Sequence, residues 1–404
     1  MPNEPGNEPL ALVVGGGPAG LTAAIALAGA GLSTTLVGKR PAKADNRTTA
    51  LLAGSVTALE TLDVWPLCSQ QAAPLKVMRI VDDTGRLWRA PEVKFSADEI
   101  GLNAFGYNIE NRHLIAALEQ RAQVLSSLRM IEDEVSAIEL KEDSVALTLM
   151  SGGVLQAPLV VAADGRRSLC RAAAGIDVDE REYKQIALTV CIKHSRPHCD
   201  ISTEFHTPTG PFTLVPLPHS RSSLVWVLDP VTADTVAALS DADLSAEIEH
   251  ASHSILGKIE IEAGRGMFPL SVATARRFAG KRIALVGEAA HVIPPIGAQG
   301  LNLGLRDAAA VGELAIAAHR KNRDIGGEDV LAAYDKMRRT DVGSRTLTID
   351  LLNRTLLTDF LPVQGMRGLG LYMLDRIGPL RRAVMREGLA PSAAQPRLMR
   401  GEAI

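Results

Sequence analysis

The stretch KRIALVGEAAHVIPPIGAQGLNLGLRDA, residues 281–308, decides the fold. Its apolar run Ile283 to Val286 predicts a buried strand, the glycines that follow predict a turn, and a long helix is expected from about Leu301 to Arg320. Alone, this unit indicates only a candidate nucleotide site. A second unit of the same kind, LALVVGGGPAG at residues 10–20, lies roughly 270 residues earlier. The pair predicts one long cofactor lying across a single sheet.

The earlier glycine turn reads Gly15-x-Gly17-x-x-Gly20. Gly15 would permit the tight turn, Gly17 would let a pyrophosphate approach the backbone, and Gly20 would let helix and strand pack closely. A small-residue helix, Ala19 to Ala30, follows, and its N-terminus would present N–H donors and a positive dipole to the phosphates. The alternative is a glycine turn that serves packing only.

The end of the second strand, Ser33 to Val37, departs from the usual pattern of such units. An acidic residue about 20 positions after the turn normally holds the ribose hydroxyls. This chain instead has Gly38, followed by Lys39 and Arg40. We therefore predict weaker cofactor binding than in a relative with an acid at this position, and tighter binding after Gly38→Glu.

Composition excludes several classes of protein. The 404 residues are 46% apolar and 22% charged, which is enough to bury a large core in two subdomains. The net charge of -3 gives no reason to expect nucleic acid. No uncharged apolar run reaches about 18 residues, so no membrane-spanning helix is predicted. Residues 1–9 predict a short disordered tail rather than a secretory signal, and the four sparse cysteines fit reduced cytosolic thiols.

Along the chain, a cofactor domain built from separated segments is interleaved with a β-rich domain. The predicted elements are helices at about 47–63 and 111–122, short strands near 75–90, strands over 134–163, a β-rich stretch from 181 to 270 with one polar helix near 241–256, and a buried strand at 281–287 followed by helices. The predicted domains are a tail at 1–9, a cofactor domain at 10–74, 100–180 and 271–320, a substrate domain at 75–99 and 181–270, and a helical region at 321–404.

Taken in order, the motifs resemble those of the FAD-dependent aromatic-ring monooxygenases of the p-hydroxybenzoate hydroxylase type, and within them the ubiquinone-biosynthesis hydroxylases. The resemblance covers nearly the whole chain. Its matches are DNRTTALLAGSVTALETLDVW (45–65), GYNIENRHLIAAL (106–118), AADGRRS (162–168), RPHCDISTEFHTPTGPFTLVPLP (196–218) and, for the ubiquinone branch, LLNRTLLTD and GLYMLDRIGPLRRAVMREG near the C-terminus. It implies an α/β fold, with a Rossmann-type FAD-binding domain interleaved with a β-rich substrate domain and a C-terminal helical segment.

The same resemblance assigns roles to single residues. Arg47 would lie on a helix near the flavin, Arg112 would face the ribityl chain or pyrophosphate, and Val135 would contact adenine. Asp164 belongs to the Asp-Gly motif, and Glu288 takes the place of an aspartate that holds the ribityl chain. The predicted FAD contacts are Gly15, Gly17, Pro18, Ala19, Gly20, Arg47, Arg112, Val135, Asp164, Gly287, Glu288, Pro295, Gly297, Ala298, Gln299, Gly300, Leu301 and Asn302. No catalytic side chain is predicted.

The loop before the long helix departs from the ubiquinone branch, because it reads Gly297-Ala298-Gln299-Gly300 where the branch has Ala-Gly-Gln-Gly. If Ala298 must adopt a conformation that only glycine adopts cheaply, the loop costs about 1 kcal/mol or shifts. The resemblance also implies that the N-terminus of the helix faces the pyrimidine edge of the flavin, where it would stabilise the reduced anion.

The resemblance implies hydroxylation of an aromatic ring with O2 through a C4a-hydroperoxyflavin, in a pocket that excludes water. No second dinucleotide turn is present, so NAD(P)H would bind transiently or a protein would donate the electrons. No metal is expected, although Cys191-x-x-His194 has ligand-type residues at near-zinc spacing. His291 would either touch flavin or substrate, or pack under the glycine turn.

The C-terminal region gives the main signal for substrate and location. Residues 366–400 interleave seven arginines with apolar residues, which is typical either of a helix on an anionic membrane or of a helix packed on the domain. We expect a cytoplasmic protein, peripheral on the inner face of the membrane, that acts with other ubiquinone-biosynthesis proteins on a polyprenylated phenol. The alternatives are a hydroxylase of a small soluble phenol and a non-catalytic flavin-fold assembly protein.

Overall fold

The computed structural model describes residues 8–40, 47–85, 91–262, 264–294, 298–357, 370, 372–373, 376–389 and 395–404. The predicted disordered tail therefore lies almost entirely outside the described residues. In the described part, strands form two larger sheets and two small ones, with helices packed on them. The fold is α/β, as the sequence predicts.

The first sheet has buried parallel strands at its centre, and its apolar runs explain why. Val13 and Val161 pair in register and are both fully buried, because helices cover the sheet. Its strands, in spatial order, are β19 (Ala279–Gly280), β20 (Ile283–Leu285), β12 (Leu159–Ala162), β1 (Ala11–Val14), β2 (Thr34–Val37) and β8 (Leu128–Ile131). The order brings the two glycine-turn units to one sheet, with only β12 between β1 and β20.

Small residues hold the helices of this domain close together. Helix α1 (Pro18–Gly29) packs against α7 (Gln299–His319). A Cβ atom added to Gly304 would lie 3.3 Å from Ala19 Cβ, and one added to Gly312 would lie 3.3 Å from Ala26 Cβ. The glycines of α7 therefore set how closely the two helices approach. The predicted limits of both helices are confirmed within two residues.

The second large sheet forms one wall of the molecule's main cavity. Its strands, in spatial order, are β21 (His291–Val292), β18 (Gly266–Ala275), β13 (Val178–His194), β16 (Arg221–Leu228), β15 (Gly210–Leu217), β14 (Ile201–Thr207), β5 (Val77–Asp82) and β6 (Val93–Ser96), and β17 (Ile259–Ile261) also pairs with β13. Its own core includes Phe205, Phe212 and Trp226, which contact one another edge to face. The predicted β-rich stretch is confirmed. The prediction of one helix within it is wrong, because α5 (Pro230–Ala237), capped by Asp229, precedes α6 (Asp241–Ala251).

The predicted helix at 47–63 is also partly wrong. Its first part is strand β3 (Thr48–Leu52), which pairs with β7 (Gly106–Glu110), and only the second part is helix α2 (Ala53–Thr61). The β-branched pair Thr48-Thr49 favours the strand. β4 (Ala72–Pro74) pairs with β7 on its other edge, and α3 (Asn111–Gln123) follows as predicted.

The remaining elements complete the cofactor domain and the C-terminal region. They are β9 (Val135–Leu140), β10 (Val145–Leu149), β11 (Val154–Ala157), α4 (Leu169–Ala173), α8 (Glu328–Leu357) and α9 (Gly378–Leu389). Within the described ranges, no helix is both long enough and apolar enough to cross a bilayer. The predicted domain boundaries stay a prediction.

Candidate functional site

The glycines of the first turn have different surroundings. A Cβ atom on Gly15 would lie 2.1 Å from the oxygen of Ala163, and one on Gly20 would lie 2.0 Å from the oxygen of Gly15. These two glycines are therefore required by packing within the protein. A Cβ atom on Gly17 would meet no atom within 4 Å, and no side chain caps α1 at this residue. The helix N-terminus thus presents open space and free N–H donors, which fit a pyrophosphate.

Gly38 corrects the expectation drawn from the missing acid. A Cβ atom at this position would lie 2.3 Å from the nitrogen of Gly16. The end of β2 and the glycine turn therefore approach so closely that any side chain at Gly38 forces the turn to move. The structure therefore gives no support to the prediction that Gly38→Glu tightens cofactor binding, because the substitution would disturb the turn that it is meant to assist.

The second turn follows β20 directly. Gly287 has a φ of 62° and lies against Ala19, so this turn contacts the start of α1. Glu288 is exposed and lines the main cavity. Its expected contact with a ribityl chain stays a prediction, and its position beside the first turn is consistent with it. Pro295 and Gly297 of the predicted set lie outside the described residues.

The N-terminus of α7 is tied to β3 by one buried side chain. The Asn302 amide oxygen accepts from the Leu52 N–H at 2.8 Å, and its nitrogen donates to the Ala50 carbonyl at 2.8 Å. A predicted contact of Asn302 with FAD would therefore have to come from its backbone. Ala298 adopts a left-handed conformation with φ 55° and ψ 32°, which is the conformation on which the expected backbone cost depends. Gln299, Gly300 and Leu301 form the first turn of α7, whose N-terminus has no side-chain cap.

The two predicted arginines lie in different settings. Arg47 immediately precedes β3 instead of lying on a helix, which corrects the prediction, and it lines the main cavity. Arg112 donates to the Glu110 carboxylate at 2.7 Å, and Arg221 contacts the same carboxylate at 3.2 Å. Burial raises the pKa of Glu110, but the two arginines outweigh that effect and hold it below its ordinary value. The positive charge of Arg112 is thus partly neutralised by Glu110 before any cofactor binds.

Asp164 and Val135 lie near the first turn but serve local structure. Asp164 accepts from the Ser168 hydroxyl at 2.6 Å and from the Cys170 N–H at 3.1 Å, so it supports the start of α4. Val135 is buried at the start of β9. Its neighbour Glu134 pairs with Lys39, which places this segment at the end of β2, where the adenine side of a dinucleotide would lie.

A buried network of charged residues connects α7, α8 and the second turn, and sequence reasoning missed it. Asp307, which is fully buried, accepts from the Gly287 N–H at 2.9 Å, from His291 Nε2 at 2.7 Å and from Arg338 Nε at 2.6 Å. Burial alone raises the pKa of Asp307, but His291 and Arg338 outweigh it and keep the pKa below its ordinary value. Of the two readings of His291, the structure supports packing under the glycine turn.

The network continues along α8 toward the start of α7. Arg338 also contacts Asp341 at 2.6 Å, Arg306 contacts Asp341 at 2.9 Å, and Arg345 donates to Gln299 Oε1 at 2.7 Å. These residues fix both sides of the loop between the second turn and α7. Charged residues in a helix ordinarily indicate a solvated face, so nothing in the sequence distinguishes this buried set.

The main cavity lies against the second large sheet, beside the start of β3 and the turn that follows β20, and has a volume of about 270 Å³. One side carries Arg47, Thr48, Arg166, Glu288 and the Val292–Pro294 segment. The other side consists of residues from β13, β16 and β18, namely Ala187, Thr189, Val190, Cys191, Ser223, Leu224, Val225, Phe268, Pro269, Leu270 and Ser271. Burial raises the pKa of the Cys191 thiol to about 12, so this wall is uncharged near neutral pH.

The site as a whole fits FAD, because the open space at Gly17, the uncapped N-terminus of α7 and the cavity beside Glu288 all lie at the ends of strands or turns of the same domain.

Comparison with known proteins agrees with this assignment. The family model described as FAD binding domain matches residues 9–348. Ubiquinone hydroxylase UbiL of Rhodospirillum rubrum is 35% identical over 400 residues, which cover 96% of this chain and 92% of that protein. The chain belongs to the FAD-dependent aromatic-ring monooxygenases, in the ubiquinone-biosynthesis hydroxylase branch.

Other members of the family and its fold agree with this assignment. The 3-demethoxyubiquinol 3-hydroxylase of Escherichia coli is 31% identical and covers 95% of this chain and 99% of its own length. Among solved structures, p-nitrophenol 4-monooxygenase PnpA of Pseudomonas putida superposes with a TM-score of 0.77 at 19% identity, over 96% of this chain and 99% of that one. HpxO of Klebsiella pneumoniae, solved with FAD and uric acid, gives 0.76 at 19% identity, over 94% of this chain and 96% of its own. Both share the fold.

The described residues contain no group of three or more His, Cys, Asp or Glu side chains that could hold a metal ion. The two predicted ligand-type residues are used otherwise. His194 Nδ1 lies 2.8 Å from the Arg196 carbonyl and Nε2 lies 3.0 Å from the Ser222 hydroxyl. Cys191 is buried in the cavity wall.

Proposed function

We propose that this monooxygenase hydroxylates the ring of a polyprenylated phenol in ubiquinone biosynthesis, using O2 and electrons from NAD(P)H or a protein donor. The observation that carries the proposal is the cavity between the predicted cofactor side and the β13, β16 and β18 wall. Its sheet wall is mainly apolar, with a few hydroxyl groups, and suits an aromatic ring, while Arg47, Arg166 and Glu288 supply the charged groups of the other side. The names of the two relatives point to the same pathway.

The protein's contribution to the reaction is binding and electrostatics. Bound FAD supplies the reaction with O2, and the residues described here hold the reactants and exclude water. Gly17 and the α1 N-terminus would hold the pyrophosphate, Glu288 the ribityl chain, and the α7 N-terminus the ring. Because the first N–H groups of α7 have no side-chain cap, they remain available to stabilise negative charge on the flavin.

The test uses the purified full chain with FAD, NAD(P)H and two phenols that differ only in a prenyl chain. The proposal predicts a yellow protein, a product that has gained one oxygen atom, and a higher kcat/KM for the prenylated phenol. A protein that stays colourless with added FAD would instead favour a non-catalytic role. Equal or greater activity on the unprenylated phenol would favour a small soluble substrate.

A second part of the proposal concerns where the enzyme works: α9 docks the protein on an anionic membrane surface. Arg381 anchors this helix, since it pairs with Glu99 at 2.7 Å and lies over the Phe95 ring at 4.6 Å. Ile377, just before the helix, and Leu380 and Val384 within it are 41%, 39% and 46% exposed.

The spacing of these three residues places them on one side of the helix. Arg376, Arg382 and Arg386, on the same segment, are exposed as well. An apolar ridge flanked by arginines is the arrangement that binds a lipid interface. Of the predicted amphipathic tail at 366–400, residues 366–369, 371, 374–375 and 390–394 lie outside the described residues.

A further inference from the structure

One face of the second large sheet carries both the main cavity and helix α9. Leu224 and Trp226 of β16 belong to the core on the other face, so Ser223 and Val225, which line the cavity, project from the cavity face. The two faces alternate in the same way along each strand. The cavity face can therefore be followed across the sheet, strand by strand, from β16 to its far edge at β6.

Strand pairing shows that one row of side chains connects the cavity with α9. Residues that lie directly opposite each other in neighbouring strands share a face. Thr203 pairs with Leu214, which sets Ser202 beside Val215. The row, termed the track, consists in order from the cavity of Ser223 on β16, Val215 on β15, Ser202 on β14, Met78 on β5 and Phe95 on β6.

The far end of the track lies under α9. Met385 of α9 is buried in one apolar cluster with Phe95, and Met78 packs against that cluster. Val81, which alternates with Met78 along β5, packs instead against the core on the other face. Helix α9 and the main cavity thus occupy the same face, at opposite ends of one row.

Between these ends, the track is uncharged and only partly covered. Val215, Ser202 and Met78 are each partly exposed. Glu204, in the adjacent row, lies 2.9 Å from His206 Nε2 and forms a polar edge beside the track. An uncharged strip that continues an apolar cavity wall suits an alkyl chain and offers little to an ionic ligand.

Strand β7 and the residue before it border the track on one side. Asn108 donates to the Pro216 carbonyl at 2.9 Å and to the Ser223 hydroxyl at 3.1 Å, so β7 lies against β15 and β16. Phe105 belongs to the same buried cluster as Phe95 and Met385. The track therefore has a packed wall at the cavity end and at the α9 end.

We infer that the track binds the alkyl chain of the substrate, which runs from the ring in the cavity across β15 and β14 to α9. Four strand spacings of about 4.8 Å separate β16 from β6, so the path is about 19 Å long. Because the exposed ridge of α9 lies at the far end, a chain that leaves a membrane there reaches the cavity along an uncharged surface. This inference rests on the proposed function and extends it, since it names the surface that selects a long chain.

The test compares dissociation constants for two phenols that carry one or four isoprene units. They are measured on the FAD-loaded full chain by the change in flavin fluorescence. Wild type should bind the four-unit phenol at least about a hundredfold more tightly, because burial of each added CH₂ group strengthens binding. Ser202→Asp places a charge in the middle of the track and should reduce this ratio at least about tenfold. Affinity for the one-unit phenol should stay unchanged, because its chain is too short to reach β14.

A second variant and a matched control complete the experiment. Val215→Asp should also reduce the ratio, since it places a charge on the next strand of the track. Thr207→Asp lies on β14 as Ser202 does and is likewise partly exposed, but it projects from the other face and should keep the wild-type ratio.

The outcomes separate this inference from the proposed function. If both Ser202→Asp and Val215→Asp keep the wild-type ratio, the inference is overturned while the proposed function stands. If wild type binds the two phenols equally well, the prenylated substrate of the proposed function fails, and the inference fails with it. FAD affinity should be equal in all these proteins, because the track is assigned to the substrate; if one variant loses FAD, the other decides.

Discussion

Gly17 is the residue at which cofactor binding and protein packing separate most clearly. Gly17→Ala adds a methyl group that meets no protein atom, so the free energy of unfolding of the apoprotein should change by less than about 0.5 kcal/mol. The affinity for FAD should fall at least about tenfold, because the methyl group occupies the path of the pyrophosphate. FAD titration and denaturant unfolding measure the two quantities. The control is Gly29→Ala, at an open position at the end of the same helix, which should leave FAD affinity unchanged. Unchanged FAD affinity in Gly17→Ala would mean that the pyrophosphate lies elsewhere.

Ala298 is a second residue with a testable backbone cost. Its left-handed conformation is unfavourable for alanine and easy for glycine, so Ala298→Gly should raise the free energy of unfolding by up to about 1 kcal/mol. The same exchange at the exposed helical residue Ala317 should lower it by about 0.5–1 kcal/mol. Thermal unfolding of the two variants compares them directly. A loss of stability in both would show that Ala298 is not strained.

At the scale of elements, the charged network joins α7 and α8. Burial raises the pKa of Asp341, but Arg338 and Arg306 outweigh it and lower that pKa to about 2. The carboxylate therefore stabilises the fold above its ordinary pKa of 3.8, and this contribution is lost as the pH falls from about 4 to about 2. Asp341→Asn should destabilise the protein by about 3–5 kcal/mol at pH 7, since it leaves buried arginines without a partner.

The pH dependence of the free energy of unfolding tests whether the charge of Asp341 causes this loss of stability. The difference in unfolding free energy between wild type and Asp341→Asn should narrow as the pH is lowered from 4 toward 2. Asp179→Asn, which breaks the exposed pair with Arg276, should change the free energy of unfolding much less at pH 7, because water screens that pair. A constant difference across the acidic range would show that the Asp341 charge does not contribute.

The elements also show what the sequence can and cannot predict. Both glycine-turn units were predictable, because buried strands such as Ile283–Leu285 are apolar throughout and their turns need glycine. Strand β3 was not, because the run of residues 48–61 has apolar residues at helical spacing, and the strand preference of Thr48 and Thr49 is too short a signal without the pairing with β7. Gly38 could not be interpreted from sequence either, since its close approach to Gly16 depends on tertiary contact.

Within the candidate site, some residues can likewise be predicted from the sequence and others depend on tertiary contacts. The residues of the two turns follow from local backbone chemistry, and the sequence locates them. Asp307 depends on burial by distant elements, and an aspartate in a helix carries no local sign of that environment. Arg47 was assigned by resemblance and given the wrong element, although it does line the cavity.

For the whole molecule, α9 predicts membrane association that depends on its apolar ridge. Val384→Asp should weaken binding to anionic vesicles at least about tenfold. It replaces an apolar side chain, which the lipid interface would bury, by a negative charge that the anionic surface repels. Val231→Asp, at an exposed valine on α5, should leave binding unchanged. Co-sedimentation over a range of salt and anionic lipid measures both. Arg381 is unsuitable for this test, since it holds the helix to Glu99.

Each outcome of the vesicle experiment has a different meaning. Binding of wild type should also weaken with salt, because the Debye length is only about 8 Å at physiological ionic strength. If wild type stays in solution at low salt with abundant anionic lipid, the ridge on α9 serves another contact. Val384→Asp that binds as wild type does would show that the ridge does not enter the interface.

The central claim is that this chain is an FAD-dependent monooxygenase that places oxygen from O2 on a prenylated aromatic ring. The most direct measurement is the reaction of the FAD-loaded protein with NAD(P)H, or a reduced protein donor, under isotopically labelled O2, followed by mass spectrometry of the ring product. The account predicts one labelled oxygen atom in each product molecule, with none gained from labelled water. A product without the label, or reduced flavin that consumes O2 without changing the ring, would contradict it.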